Sequence, residues 1–260
     1  MSKIRGIIKL TLLLIFTLST YAIYAVGLAI LRIFRRRYEP WRNLFMRTWS
    51  QGTALIFNMD VKIQGSPPAA PFFLVSNHLS YLDIIPLYLS LRCTFVAKKA
   101  VRNWPVLGFM VHSVGVIFVD RKRKTDVKRV NKKLSEFMNE YQGVVFFPEA
   151  TSSGGEGILP FHASLLQFPA KQKVPVHTAS ISYRTGPGDQ HARDSVCFFG
   201  ARDGFLEHLM KLAQTTQIDC KIKFGERTEQ SSDRKELALK LRDNIQEYFE
   251  PTSKLEDQEA

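Results

Sequence analysis

The chain has 260 residues, of which 45% are hydrophobic and 12% aromatic, a composition that argues against disorder and fits one sizeable domain with an attachment. Its formal net charge of +12 suits either nucleic acid or an anionic membrane surface. The sequence carries a membrane segment and no nucleic-acid-binding motif, so we expect membrane lipids and no nucleic acid as partners. Three cysteines without CxxC spacing and six histidines without an HExxH pattern argue against a metal site.

Residues 1–37 have the pattern of a membrane anchor. From Leu10 to Leu31 no residue carries a formal charge, and as a helix this run spans roughly 33 Å, enough to cross a hydrocarbon core. The run is too long for a cleaved signal peptide, and four arginines follow it between positions 32 and 37. Because basic residues flank both ends, a spanning helix and a helix bent back into one leaflet both stay open. The denser cluster is C-terminal, which favours an inner (cytoplasmic) membrane protein whose main domain is cytoplasmic.

Residues 38–60 predict a second, interfacial helix. Pro40 prevents a regular helix from continuing unbroken, and Tyr38 and Trp41 suit the head-group layer of a membrane. From Trp41 to Phe57 the apolar residues recur on roughly one side. This amphipathic pattern is typical both of a helix packed on the following domain and of a helix on the membrane surface.

Strands and helices alternate between residues 61 and 250, which predicts an α/β domain with a mixed, mainly parallel sheet flanked by helices. In open sheets of this class, sites gather at the carboxyl ends of strands. Residues 251–260 are expected to form a flexible tail. The predicted strands are Val61–Gln64, Phe72–Val75, Thr94–Ala97, Val116–Val119, Val144–Phe147, Val174–Tyr183, Val196–Phe199 and Ile218–Phe224. The predicted helices include Leu82–Ser90, Trp104–Val114, Lys124–Tyr141, Leu206–Gln214 and Asp233–Phe249.

The segment Asn77-His78-Leu79-Ser80-Tyr81-Leu82-Asp83 follows a predicted buried strand and carries the strongest signal for chemistry. On one continuous helix, His78 and Asp83 would point about 140° apart. They can meet only if His78 lies in a turn and Asp83 in the first turn of a following helix. There the carboxylate can accept a hydrogen bond from one ring nitrogen and leave the other nitrogen to accept a substrate proton. The alternative is a surface histidine near an aspartate at a helix start.

Further polar residues follow other apolar runs, and together they form an ordered set of motifs. Phe147-Pro148-Glu149-Ala150-Thr151-Ser152-Ser153 follows one run, Arg121 another, and Val174-Pro175-Val176 lies in a third. With the Asn77–Asp83 segment, these resemble the four sequence blocks of the glycerolipid acyltransferase family. The blocks occur in the family's order and cover roughly residues 72–183.

The resemblance implies a membrane-bound O-acyltransferase without a cofactor. Acyl-CoA or acyl-carrier protein would donate the chain, and the hydroxyl of a lyso-lipid would accept it. His78 would be the general base and Asp83 the residue that orients it. The absence of a Gly-x-Ser-x-Gly elbow supports direct attack by the acceptor over an acyl-enzyme intermediate. The residues expected to bind substrate are Asn77, Arg121, Glu149, Ala150, Thr151 and Ser152.

Two positions depart from the family pattern. Ala150 stands where the family usually has glycine, which predicts a backbone without positive φ at that residue. Ser152 stands where many members with a phosphate acceptor carry arginine. With one cation fewer, we expect the acceptor to be a lyso-aminolipid or a lysophospholipid other than lysophosphatidic acid.

Three alternatives stay open. The acceptor is lysophosphatidic acid if Arg121 alone supplies the phosphate contact. The protein is a thioesterase or another hydrolase if His78 activates water, in which case free fatty acid is released with or without a lyso-lipid. A catalytically silent membrane adaptor is a third class, against which the intact pair of His78 and Asp83 and the presence of Glu149 argue.

Overall fold

One mixed sheet forms the centre of the molecule. The computed structural model describes residues 2–99, 102, 107–120, 123–200 and 203–254. The strands in that part of the chain are β1 (Met59–Gln64), β2 (Phe73–Ser76), β3 (Cys93–Lys98), β4 (Ile117–Val119), β5 (Gly143–Phe146), β6 (Val176–Thr185), β7 (Ile218–Phe224) and β8 (Ser253–Lys254). They are ordered β1-β7-β6-β2-β5-β3-β4, with β8 paired to β6 outside this path. Only the pairing of β6 with β7 is antiparallel among these, which confirms the predicted mixed, mainly parallel sheet.

Helices cover both faces of the sheet. They are α1 (Ser2–Ile33), α2 (Glu39–Phe57), α3 (Ile84–Ser90), α4 (Leu107–Ser113), α5 (Lys124–Phe137), α6 (Gln167–Gln172), α7 (Ala192–Ser195), α8 (Phe205–Ala213) and α9 (Arg234–Gln246). Side chains of β2 alternate between the two faces, as the pleat requires. Phe73 and Val75 enter a core that includes residues of α5, α6 and α9, whereas Leu74 enters the core beneath α2, α3 and α8. Both faces of the central strand are therefore buried.

The predicted strand at Val196–Phe199 is wrong. The short helix α7 ends just before it, and Phe198 lies in a loop. The amide of Phe198 donates to the carbonyl oxygen of Leu79 at 2.9 Å, and its own carbonyl accepts from the hydroxyl of Ser152. Its backbone groups are thus satisfied by two other loops instead of by a strand ladder, an arrangement that an apolar run does not reveal. The start of the predicted helix Trp104–Val114 lies outside the described residues.

Helix α2 has an unusual distribution of polarity. Its side toward the domain buries polar side chains, among them Arg42, Ser50 and Thr53. Its outer side carries Leu44 and Leu55, which are 57% and 81% exposed. The inner side also buries Met46, Ala54 and Phe57, and the outer side also exposes Arg47, Thr48 and Gln51. Exposed leucines next to exposed polar side chains are typical of a helix at a membrane surface.

Helix α1 lies against α2 and continues this apolar surface. It is long and apolar enough to cross a membrane, and most of its side chains are exposed. The indole nitrogen of Trp41 donates to the carbonyl oxygen of Tyr24, and that of Trp49 to the hydroxyl of Thr17, each at 3.0 Å. The two helices therefore form one unit with a shared apolar face.

Both halves of α1 also contact the α/β domain. Near its beginning, the Lys9 ammonium donates to the carbonyl oxygens of Phe57 at 3.2 Å and Thr215 at 2.9 Å, at the C-terminal ends of α2 and α8. Farther along, the Tyr24 hydroxyl donates to the carbonyl oxygen of Ser113 at 2.9 Å. Helix α1 thus runs along the domain instead of projecting away from it.

Residues 251–254, the described part of the expected flexible tail, are held by contacts with the domain, and residues 255–260 lie outside the described residues. Strand β8 pairs with Arg184 and Thr185 at the end of β6. Thr252 is buried, and it donates its amide to Gly155 O at 3.0 Å and its hydroxyl to Gly154 O at 2.9 Å. These long-range contacts hold the chain as far as residue 254 against the loop that follows β5.

Candidate active site

His78 and Asp83 meet as the spacing predicts. Strand β2 ends at Ser76, His78 lies in the loop that follows, and Asp83 ends a 3-10 turn formed by Tyr81–Asp83 just before α3. The Nδ1 atom of His78 lies 2.7 Å from Oδ2 of Asp83. The contact requires the change of direction between loop and helix, because a continuous helix would separate the two side chains.

The carboxylate of Asp83 is fully buried and held by several donors. Besides the imidazole, Oδ2 accepts from the amides of Leu79 at 2.7 Å and Ser80 at 3.1 Å. The Tyr183 hydroxyl donates to the other oxygen, Oδ1, at 3.0 Å. Together these donors satisfy the oxygens of the buried carboxyl group and fix its orientation.

The ring of His78 has one side against protein and one edge open. It stacks on Phe147 with a centroid distance of 4.3 Å and an interplanar angle of 17°. Its side chain is still 26% exposed. A buried carboxylate at Nδ1 is a hydrogen-bond acceptor, so the proton of the neutral ring resides there and Nε2 is the basic nitrogen. The arrangement can accept a proton from a hydroxyl placed at Nε2.

Glu149 lies beside the pair and is itself almost completely buried. Its Oε1 accepts from the backbone amide of His78 at 3.3 Å, the backbone of Leu159 also hydrogen-bonds to the carboxyl group, and Oε2 is buried. Burial, reinforced by the nearby Asp83 carboxylate, raises the pKa of Glu149 to about 8. The carboxyl group is therefore largely protonated at neutral pH and can donate a hydrogen bond.

The prediction for Ala150 is wrong, because its φ is +66°. The residue turns the chain sharply after β5, with its amide 3.3 Å from the carbonyl oxygen of Phe147. This left-handed conformation is the reason that glycine suits the position, and an L-residue with a Cβ is strained there.

The rest of this loop is hydrogen-bonded to the two loops that contain His78 and Phe198. The Ser152 hydroxyl donates to the carbonyl oxygen of Phe198, and the Ser153 amide donates to that of His78 at 2.9 Å. Thr151 is exposed at the tip. Of the predicted substrate-binding residues, Glu149, Ala150, Thr151 and Ser152 therefore lie on one loop beside His78.

Asn77 has contacts that differ from the predicted role in substrate binding. It is buried, its Oδ1 accepts from the amide of Ile181 at 2.8 Å, and its Nδ2 donates to the carbonyl oxygen of Ile181 at 2.9 Å. Both ends of the amide are thus used to join the His78 loop to β6. Arg121, the remaining predicted contact, lies outside the described residues.

Sequence reasoning missed Tyr183 and Phe147 as parts of the site. Tyr183 follows Asp83 by 100 positions and lies within an apolar strand pattern that predicts only burial. Phe147 directly follows β5 and was interpreted as strand core. The family blocks mark the neighbourhood of both residues. Only the parallel pairing of β2 with β5 and β6 brings their side chains to His78 and Asp83, the two residues that we call the dyad.

Comparison with known proteins identifies the family. A family model described as acyltransferase matches residues 59–182. The chain is 30% identical over 200 residues to a lyso-ornithine lipid O-acyltransferase of Pseudomonas aeruginosa, covering 76% of both chains. It is 28% identical over 208 residues to a 1-acyl-sn-glycerol-3-phosphate acyltransferase of Neisseria gonorrhoeae, covering 78% of this chain and 80% of that one. The crystal structure of the acyltransferase PlsC from Thermotoga maritima shares the fold, with a TM-score of 0.62 at 21% identity over 95% of this chain and 97% of that one. The chain therefore belongs to the acyltransferase family and is an enzyme that transfers acyl groups.

Proposed function

We propose that the protein is a membrane-bound lyso-lipid O-acyltransferase in which His78 is the general base. The observation that carries this proposal is the 2.7 Å contact between His78 Nδ1 and the buried Asp83 carboxylate at the end of β2. The contact leaves Nε2 at the exposed edge of the ring, where an acceptor hydroxyl can reach it. Relatives named for acyl transfer to lyso-lipids support the choice of acceptor class.

The reaction follows from this geometry. The oxygen of the acceptor hydroxyl attacks the carbonyl carbon of an acyl thioester while its proton passes to Nε2 of His78. The new C–O bond forms, the C–S bond breaks, and the proton then passes from His78 to the leaving thiolate. Asp83 stabilises the imidazolium that exists between these two transfers. The acyl donor is a thioester of either CoA or acyl-carrier protein, and the reacting carbonyl group is the same in both.

Glu149 is the second group that we assign to the acceptor. Its carboxyl group lies on the loop beside His78, and its raised pKa keeps it a hydrogen-bond donor at neutral pH. A protonated carboxyl group donates to an acceptor oxygen without repelling an anionic head group. Glu149 would therefore hold the acceptor while His78 removes its proton.

The acceptor that we favour is a lyso-aminolipid or a lysophospholipid other than lysophosphatidic acid. Ser152 supports this choice, because its hydroxyl is used on the Phe198 carbonyl and it offers no guanidinium to a phosphate. The relatives include proteins named for each acceptor, lyso-ornithine lipid and 1-acyl-sn-glycerol-3-phosphate. Acylation of lysophosphatidic acid is the second candidate.

For the membrane, we propose that α1 and α2 are embedded with their shared apolar face in one leaflet and the catalytic domain on the cytoplasmic side. The contacts of both halves of α1 with the same domain support a helix that does not leave it. Alkaline carbonate extraction tests the attachment, and protease accessibility in sealed inverted vesicles tests the side. Release of the full-length protein by carbonate contradicts the embedding.

The test of the reaction is acyl transfer by the purified full-length protein and its His78→Ala variant, with acyl-CoA and acyl-carrier protein as donors. We expect the variant to lose roughly 10²–10⁴-fold in turnover, the usual contribution of a general base. His112→Ala is the matched control, because this exposed histidine lies on α4, where its ring stacks on Phe118. Near wild-type turnover of His78→Ala contradicts the assignment. Release of free fatty acid without transfer to any lyso-lipid identifies a thioesterase instead.

A further inference from the structure

A cleft of about 580 Å³ lies between the segment that contains α7 and helix α8. One wall is formed by Phe198, whose amide donates to Leu79 O and whose carbonyl accepts from the Ser152 hydroxyl. The amide of the next loop residue, Ser153, in turn donates to His78 O. Phe198 therefore joins the cleft to Leu79, the residue after the proposed base, and to Ser152, on the loop that contains Glu149.

The inner wall of the cleft is rigid and neutral. His208 is buried, which lowers its pKa and keeps the imidazole uncharged. Its Nε2 lies 3.0 Å from the carbonyl oxygen of Cys197, so it carries the proton, and its Nδ1 accepts from the Tyr81 hydroxyl at 3.1 Å. Phe198 packs on both rings, with centroid distances of 5.5 Å to Tyr81 and 4.9 Å to His208.

The rim carries charges of both signs. Arg193 and Lys211 supply cations, and Asp194 and Asp203 supply carboxylates. Arg193 is also ion-paired with Glu156. Lys211 lies 2.5 Å from Asp203, and the Arg193 guanidinium lies over the Phe199 ring at 5.4 Å. The side chains of Arg193 and Lys211 are 40% and 35% exposed. The ion pair of Arg193 with Glu156 is exposed and therefore weak, so the carboxylate of a ligand can replace Glu156. The Asp203 side chain is only 17% exposed, and the ammonium of a ligand would replace the more exposed Lys211 beside it.

We propose that this cleft binds the head group of the lyso-lipid acceptor and that it favours a zwitterionic amino-acid head group, which carries one carboxylate and one ammonium. Arg193 presents the planar donors that a carboxylate needs, and Asp203 presents the acceptor that an ammonium needs. A dianionic phosphomonoester in the same place would face the carboxylates of Asp194 and Asp203. The proposal rests on the acyltransfer reaction proposed above and assigns its acceptor selectivity to the cleft.

The experiment compares acyl transfer to an N-acylornithine carrying a free hydroxyl on its acyl chain with transfer to lysophosphatidic acid. We expect wild type to prefer the ornithine acceptor. Arg193→Gln should lower kcat/KM for that acceptor by about ten- to a hundred-fold relative to lysophosphatidic acid, since it removes a charge-assisted contact. Asp203→Asn should shift the preference towards lysophosphatidic acid, because it removes both an ammonium partner and a repulsive charge. Lys240→Gln is the matched control, an ion-paired surface lysine on α9.

Competition gives a readout that does not depend on how the variants fold. Nα-acetylornithine, the soluble head group, should inhibit the wild-type enzyme competitively with the lyso-lipid, and glycerol 3-phosphate should not. Unchanged acceptor ratios in both folded variants, or absence of competition by Nα-acetylornithine, overturn the proposal. If wild type acylates none of the lyso-lipids, the failure lies instead in the proposed function.

Discussion

The Tyr183 hydroxyl donates to Oδ1 of Asp83 across 3.0 Å, on the carboxylate oxygen that His78 does not use. Both side chains are fully buried. Burial, and secondly the adjacent carboxylate, raises the pKa of Tyr183 well above its ordinary value, so the hydroxyl keeps its proton and acts only as a donor to Asp83. Tyr183 of strand β6 therefore holds Asp83 in place through the carboxylate oxygen that faces away from His78.

We expect Tyr183→Phe to lower kcat by roughly 10–100-fold, because a hydrogen bond to a charged group contributes about 1.5–3 kcal/mol. The KM for the acceptor should change little, since Tyr183 lies behind Asp83 and away from substrate. Steady-state kinetics with varied acceptor separate the two constants. Tyr88→Phe is the control, because this buried tyrosine packs edge-on against Phe95. A variant with wild-type kcat would show that the backbone amides suffice to orient Asp83.

The raised pKa of Glu149 predicts that the free energy of unfolding depends on pH. Its pKa is about 8 in the folded chain against an ordinary value of 4.5. Between these values the folded chain holds a proton that the unfolded chain has released, so the free energy of unfolding falls as pH rises, by up to about 1.4 kcal/mol per pH unit. Glu149→Gln stays neutral throughout. Its stability relative to wild type should therefore increase from pH 5 to pH 8.

Urea unfolding of both proteins at several pH values in that range measures this difference. Glu226→Gln, at an exposed glutamate, serves as the control and should follow the wild-type curve. Parallel pH profiles of wild type and Glu149→Gln would mean that Glu149 is ionised in the folded protein.

The sequence predicted the features that depend on local order and chain direction. The alternation of elements gave the sheet class, and the spacing of His78 and Asp83 gave their contact, because each depends on residues close in the chain. It did not predict the tie between Phe198 and Ser152, the anchoring of Asp83 by Tyr183, or the contact of Thr252 with Gly154. These bonds join residues between 46 and 100 positions apart, and the residue types involved are also common in ordinary cores and loops.

Ala150 shows how a substitution within a family motif can mislead. The absence of glycine suggested a relaxed backbone, yet the loop keeps a φ of +66°. Hydrogen bonds on both sides of Ala150 fix this turn. The carboxyl group of Glu149 accepts from the His78 amide, and the Ser153 amide donates to the His78 carbonyl oxygen. Tertiary contacts thus impose the conformation, and Ala150 accepts the strain.

We expect Ala150→Gly to raise the free energy of unfolding by about 0.5–1 kcal/mol. Relief of the left-handed strain gives about 1–2 kcal/mol, and the greater freedom of glycine in the unfolded chain removes about 0.4–1 kcal/mol. Chemical unfolding measures the net change, and Ala213→Gly at the end of helix α8 should destabilise instead. A destabilised Ala150→Gly variant would contradict the strain at this residue.

Ser152→Arg should move acceptor selectivity towards lysophosphatidic acid. The substitution removes the hydroxyl that donates to Phe198 O and places a guanidinium on the loop beside His78. A new charge-assisted contact with a phosphomonoester is worth roughly 1.5–3 kcal/mol, or about ten- to a hundred-fold in affinity. A zwitterionic aminolipid presents less charge to neutralise, so its KM should improve less. Acyl transfer to lysophosphatidic acid, lysophosphatidylethanolamine and a lyso-aminolipid under one set of conditions measures the shift.

Ser152→Gln is the control. Its side chain is long and polar but uncharged, so it separates the effect of the charge from the loss of the hydrogen bond made by the serine hydroxyl. A wild type that already prefers lysophosphatidic acid would contradict the argument, as would equal changes in the arginine and glutamine variants.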